Sequence, residues 1–170
     1  MKETRKLAFC SMMVAVSVVV LLLGAILDLG MYAAPLFAGL FLLPIGRELG
    51  RKRHAMMWIA VSLLSFILVP NIEENLMYAV LFGPYPILRP LFEKLSKLPR
   101  IITKFAYFNI VVVAVEALVT LVLVPEALGP VLAITLLALG NLTFLVYDFL
   151  IPRAEIILCH YLRRITSSFK

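Results

Sequence analysis

The sequence predicts an all-α integral membrane protein, a bundle of six transmembrane helices with both chain ends on the cytoplasmic side. Three observations carry this expectation. Apolar residues make up 63% of the 170, against roughly 45 to 50% in an ordinary soluble domain, and the mean hydropathy is +1.04. The chain divides into six apolar stretches, most of them near the roughly 20 residues that cross a bilayer. All 16 Lys and Arg fall at the ends of the chain or between alternate stretches. Six crossings and short loops use up a chain of this length. No soluble catalytic or nucleotide-binding domain fits beside them.

The first crossing, about residues 7–27, follows Lys2, Arg5 and Lys6. A basic start before an apolar run has the outline of a signal peptide, but the run is long and lacks a small-x-small cleavage site, so it reads as a retained helix. Asp28, Leu29 and Gly30 turn the chain. The second crossing, about 31–46, carries Pro35 and Pro44 and leads into the basic loop Arg47 to His54. The third, about 55–70, stops at Pro70 before the acidic loop Asn71 to Asn75. The fourth, about 73–90, contains Pro84, Pro86 and Pro90. Each proline removes a backbone N–H that lipid cannot replace, so this helix must lean on neighbouring helices or on a polar cavity. Its prolines mark either a flexible gate or the bend where the crossing becomes a surface helix, and the bend is the expectation. The fifth crossing, about 105–124, and the sixth, about 130–151, flank a short loop with Glu126.

Charge gives the direction of threading. Lys2, Arg5 and Lys6, then Arg47, Arg51, Lys52 and Arg53, then Arg89, Lys94, Lys97, Arg100 and Lys104, and finally Arg153, Arg163, Arg164 and Lys170 all fall on one side of six crossings. The opposite loops hold Asp28, Glu73, Glu74 and Glu126. The positive-inside rule places both termini in the cytoplasm and the chain in the plasma membrane. Two stretches on that side have helical amphipathic spacing and are expected on the inner membrane surface or as docking helices. One has Leu88, Leu91, Phe92, Leu95 and Leu98. The other is the tail, with Leu158, Tyr161, Leu162 and Ile165.

The basic clusters are separated along the chain, which argues against nucleic acid as a partner. Cys10 and Cys159 have no framework spacing and read as packing residues. His54 and His160 sit at the cytoplasmic boundary without a second ligand at metal spacing, so no metal site is expected. There is no phosphate-cradling glycine loop, no HExxH motif and no evident serine–histidine dyad, so neither a cofactor nor an enzyme is expected.

Intramembrane polar groups carry the remaining signal, because a charge at the bilayer centre costs about 2.5 to 3.5 kcal/mol even on the lenient scale. Glu116, deep in the fifth crossing, is a candidate ligand contact or proton-coupled group, or else a protonated acid bonded to a neighbouring helix. Asn141 is assigned to a cavity wall and Asn109 to helix-to-helix bonding. Asp148, near the inner boundary, is expected to pair with Arg153. Asn71, Glu73, Glu74, Asn75 and Tyr78 form a candidate binding rim at the outer end of the fourth crossing. Ala8, Ser11 and Ala15 offer a small-residue groove on the first crossing, with Ser11 and Ala15 at small-xxx-small spacing.

The opening KETRKLAFCSMMVAVSVVVLLLG, with its basic start and small-residue first helix, together with the six-crossing threading, resembles the substrate-binding S components of energy-coupling factor (ECF) transporters. Here the groove reads Ser11-xxx-Ala15 where those proteins carry two alanines. The resemblance implies a vitamin-like small molecule taken from outside, bound without catalysis by Asn71, Glu73, Glu74, Asn75, Tyr78, Glu116 and Asn141. It also implies a transmembrane coupling subunit docked on Ala8, Ser11 and Ala15, and ATPases in trans. A six-helix scaffold like the MreD-type component of the cell-shape machinery has the same size and threading, and would bind protein partners instead. A small intramembrane enzyme acting on a lipid would need two polar catalytic groups at one depth.

Overall fold

The structure, a computed structural model, describes residues 3–27, 30–122 and 130–167. Asp28 and Glu126 lie outside the described residues, as do the side chains of Tyr161, Leu162 and Ile165 in the tail. Every described element is a helix. They are α1 (Glu3–Leu27), α2 (Gly30–Phe41), α3 (Leu43–Leu49), α4 (Arg51–Leu68), α5 (Ile72–Met77), a π-helical stretch at Tyr78–Phe82, α6 (Tyr85–Phe92), α7 (Lys97–Val122) and α8 (Pro130–Ser167).

Three described helices, not the six expected, are long and apolar enough to cross a membrane, within Glu3–Leu27, Lys97–Leu121 and Ile134–His160. They support a membrane protein. Composition is not what disqualifies the second and fourth stretches; their prolines divide them. Pro44 sits in the first turn of α3, where its missing N–H costs nothing, and the chain breaks at Leu42 just before it. The fourth stretch is cut into α5, the π-helical stretch and α6. α4 begins with Arg51, Lys52 and Arg53, which leaves a shorter apolar part.

Two further expectations change. Leu88 to Leu98 is not one surface helix: α6 ends at Phe92, the chain turns, and α7 begins at Lys97. The apolar spacing ran across the turn that reverses the chain into α7. The tail is not a separate element either. It continues α8, which runs 38 residues through Pro152, about 57 Å at ~1.5 Å per residue and well beyond a bilayer core of roughly 30 Å.

The broken fourth stretch sits at the centre of the packing. Gly83 N–H donates to Tyr78 O at 2.9 Å, a five-residue step that leaves Ala79 O without its usual i+4 donor. Pro84 and Pro86 have no N–H to offer Val80 and Phe82, four residues earlier. Three other helices supply the donors. Trp58 Nε1 of α4 donates to Ala79 O at 3.0 Å, the Tyr107 hydroxyl of α7 to Val80 O at 2.8 Å, and the Tyr147 hydroxyl of α8 to Phe82 O at 2.7 Å. The sequence required this helix to lean on its neighbours, and these three bonds are the means.

The core divides around this segment. On one side Met13, Val18 and Leu21 of α1 pack with Ala34 and Ala38 of α2 and with Val61 of α4, and Ser17 Oγ donates to Ala38 O at 3.1 Å. On the other, aromatic rings join the π-helical stretch and α6 to α7 and α8. Tyr85 meets Phe144 edge to face at 4.9 Å, Phe82 meets Tyr147 edge to face at 5.1 Å, and Phe108 stacks on Phe144 at 4.8 Å.

Ion pairs and shared walls bring members of all four basic clusters to one end of the bundle. Arg53 pairs with Glu3 beside Lys6, Arg51 donates to Ile87 O, and Arg89 and Lys104 both hold Asp148. Arg153 does not pair with Asp148 as expected: it lies over the Phe149 ring, 3.4 Å from its centroid. Five residues along a helix is about 140° of rotation, so Arg153 leaves from a different face, whereas α6 and α7 deliver their cations directly.

Candidate functional site

At the end of the bundle remote from the basic residues, a cavity of about 600 Å³ opens between α7 and α8 and is closed on the α2 side by Tyr32. Two features of the sequence form it. Glu116 and Thr120 are one helical turn apart on α7 and therefore share a face, and both line the cavity. Gly140 of α8 lets the neighbouring rings come close: a Cβ there would stand 2.9 Å from the Tyr32 ring carbon and hydroxyl and 3.0 Å from Phe108. The buried Tyr32 hydroxyl reaches toward Leu136 O at 3.4 Å.

The wall is otherwise apolar, from residues such as Val112, Leu121, Ile134 and Leu137. The polar side chains lining it are the Glu116 carboxyl and the Thr120 and Tyr32 hydroxyls. Glu73 lies close enough to act electrostatically on both Glu116 and Tyr32. The volume is within the range of small-molecule sites, roughly 300 to 1,000 Å³, and few polar groups in an apolar wall is their usual composition. Such a site can hold a largely apolar molecule by one hydrogen-bonding or cationic group. Among the described residues, no group of three or more His, Cys, Asp or Glu is placed to hold a metal ion.

The other residues singled out from the sequence are dispersed. Asn71 caps α5, its side-chain oxygen accepting from Glu73 N–H at 3.1 Å and Glu74 N–H at 3.2 Å. Glu74 is fully buried and points between the other helices, its carboxyl oxygens 3.3 and 3.4 Å from the Cβ that Gly24 lacks. Asn75 donates to Val69 O at 2.9 Å and borders a separate hollow of about 300 Å³ at the α4–α5 junction. Tyr78 is fully buried in the α1–α2–α4 core. Asn141 is not on the wall of the large cavity. It exchanges two hydrogen bonds of 3.0 Å with Asn109, and each amide also donates to the carbonyl four residues before it at 2.8 Å. Ala8, Ser11 and Ala15 lie together on the exposed face of α1.

No protein-family model, no curated protein and no solved structure matches this chain.

Tyr32 and Thr120 were not singled out from the sequence. Thr120 was within reach, since it stands one turn beyond Glu116. Tyr32 was not, because its approach to α8 depends on Gly140, more than a hundred residues away.

Proposed function

We propose that this chain is a membrane-embedded substrate-binding subunit of the ECF S-component kind. It captures a vitamin-like small molecule from outside and hands it on through partners. In this reading it crosses the plasma membrane six times with both termini in the cytoplasm. The broken pairs α2–α3 and α5–α6 each serve as one crossing: Gly30–Leu49 and Ile72–Phe92 each amount to about 30 Å at ~1.5 Å per residue. Non-helical backbone is tolerated at membrane depth where protein covers it, as the donors from Trp58, Tyr107 and Tyr147 do here. The basic end faces the cytoplasm.

The observation that carries the reading is the 600 Å³ cavity with Glu116, Thr120 and Tyr32 on its wall, which on this threading opens in the outer half of the bundle. The protein binds without catalysing. ATP hydrolysis belongs to ATPases in trans, reached through a coupling subunit docked on the exposed face of α1 that carries Ala8, Ser11 and Ala15. A second reading, a six-helix scaffold of the MreD type, draws on the Asn109–Asn141 pair, since polar groups that only bridge helices suit an assembly protein.

Native mass spectrometry of the detergent-purified protein, expressed in rich medium, separates the two. A retained small molecule supports the substrate-binding subunit, and a retained membrane protein without one supports the scaffold. Glu116→Gln should weaken binding of that molecule by roughly ten- to a hundredfold, the worth of a charge-assisted hydrogen bond of about 1.5 to 3 kcal/mol, while leaving thermal unfolding unchanged. Equal affinity in the variant removes Glu116 from the site. Ala15→Leu should abolish co-purification with the coupling subunit by filling the groove on α1. An intact complex counts against docking there.

A further inference from the structure

At the basic end, a second cavity of about 150 Å³ lies where α3, α4, α6 and α8 meet. Arg47, Arg51, His54, Arg89 and Glu155 supply its charged and polar wall. Arg47 makes no ion pair with a described residue, and Arg51 has committed one N–H, to Ile87 O at 2.8 Å. The Arg89 guanidinium is already shared between Asp148 and Glu93. Glu155 is the one carboxylate on the wall, so Arg47 and Arg51 leave the cavity with positive charge in excess.

Two further features point to an anion. His54 is only 4% exposed, yet its Nε2 has no hydrogen-bond partner. A buried polar nitrogen without a partner is costly, so it implies a ligand or ordered solvent. His54 precedes the apolar part of α4, and burial pushes its imidazole down to about 4, so at neutral pH it adds no charge to the wall. The first turn of α4 supplies both Arg51 and His54, and its N-cap, Gly50, with φ of 91°, gives that turn no side-chain cap. The positive end of the helix dipole therefore stands beside two arginines with no side-chain cap on it.

We infer that this cavity is a phosphate-binding site, in which Arg47, Arg51, His54 and the start of α4 hold the phosphate of an anionic phospholipid headgroup or of a soluble phosphoester. Arginine suits the group because its planar fork matches phosphate oxygens. The inference is independent of what the cavity at the other end binds.

The test uses the full chain in detergent, titrated by native mass spectrometry with phosphatidylglycerol and, separately, with inorganic phosphate. Arg47→Gln/Arg51→Gln is compared with Lys52→Gln/Arg53→Gln, which removes the same charge from residues outside the cavity wall. The first variant should weaken saturable binding at least tenfold, and the second by less than twofold. Phosphatidylglycerol binding that phosphate competes away identifies the lipid as the source. Binding of phosphate alone identifies a soluble phosphoester. If both variants weaken binding alike, or the wild-type protein binds neither probe saturably, the site is overturned. Arg47 is exposed, so Arg47→Gln alone carries the comparison should the double variant fail to purify.

Discussion

Asp148→Asn should lower stability by about 3 kcal/mol, read as a fall of roughly 6 to 12 °C in the thermal unfolding midpoint in detergent. One carboxylate holds three elements together. Its Oδ1 accepts from the Tyr85 hydroxyl at 2.7 Å and Arg89 Nε at 3.0 Å of α6, and Lys104 Nζ of α7 reaches both oxygens at 2.9 and 2.8 Å. The amide keeps the shape and loses the charge, leaving Lys104, with a side chain only 10% exposed, without its counter-ion. Removing one partner of a buried pair costs more than the pair itself contributes, because the remaining charge is stranded. Arg89 suffers less, since Glu93 still holds it at 2.7 Å. The network therefore predicts non-additivity: Lys104→Met in the Asp148→Asn background should recover part of the loss. A single-variant effect within about 0.5 kcal/mol would mean that solvent already screens the group as it does a surface pair.

The same network marks where sequence reading stops. That Asp148 needs a cation follows from its position at the end of an apolar helix. Which cation does not follow, because Arg89 and Lys104 are 59 and 44 residues away and arrive only when α6 and α7 pack on α8. Arg153 was the near choice along the chain and the wrong one around the helix. Local chemistry fared better. Pro70 follows the end of α4 and the prolines of the fourth stretch demanded outside donors, whereas Asn71 to Asn75, read as an acidic loop, are the N-cap and first turn of α5. Helix continuity was harder to read, since hydropathy runs smoothly across the break at Leu42 and the helical apolar spacing of Leu88, Leu91, Leu95 and Leu98 runs across the turn between α6 and α7, while backbone hydrogen bonding does not. The candidate site was legible as one residue, Glu116. The rest of its wall depends on how α2 and α8 meet at Gly140.

The donors to the broken helix yield the second large effect. Tyr147→Phe should cost about 2 kcal/mol, within the roughly 1 to 3 kcal/mol of a buried carbonyl left unpaired, because Tyr147 and Phe82 are both fully buried and no proline N–H can take over. Tyr107→Phe should cost less, since its bond to Val80 O lies in a more exposed position. Each substitution deletes a hydroxyl and keeps the ring, so the Phe82–Tyr147 edge contact survives and the difference reports the hydrogen bond. A rescue then isolates the cause. Pro86→Ala restores an N–H four residues after Phe82, so in the Tyr147→Phe background it should return part of the lost stability by donating to Phe82 O. In the wild-type background that carbonyl is already satisfied and the same change should gain little. Equal effects in both backgrounds, measured by thermal unfolding, would show that Phe82 O is not the group Tyr147 serves. The ring packing of Tyr147, not its hydroxyl, would then be what joins α8 to the broken helix.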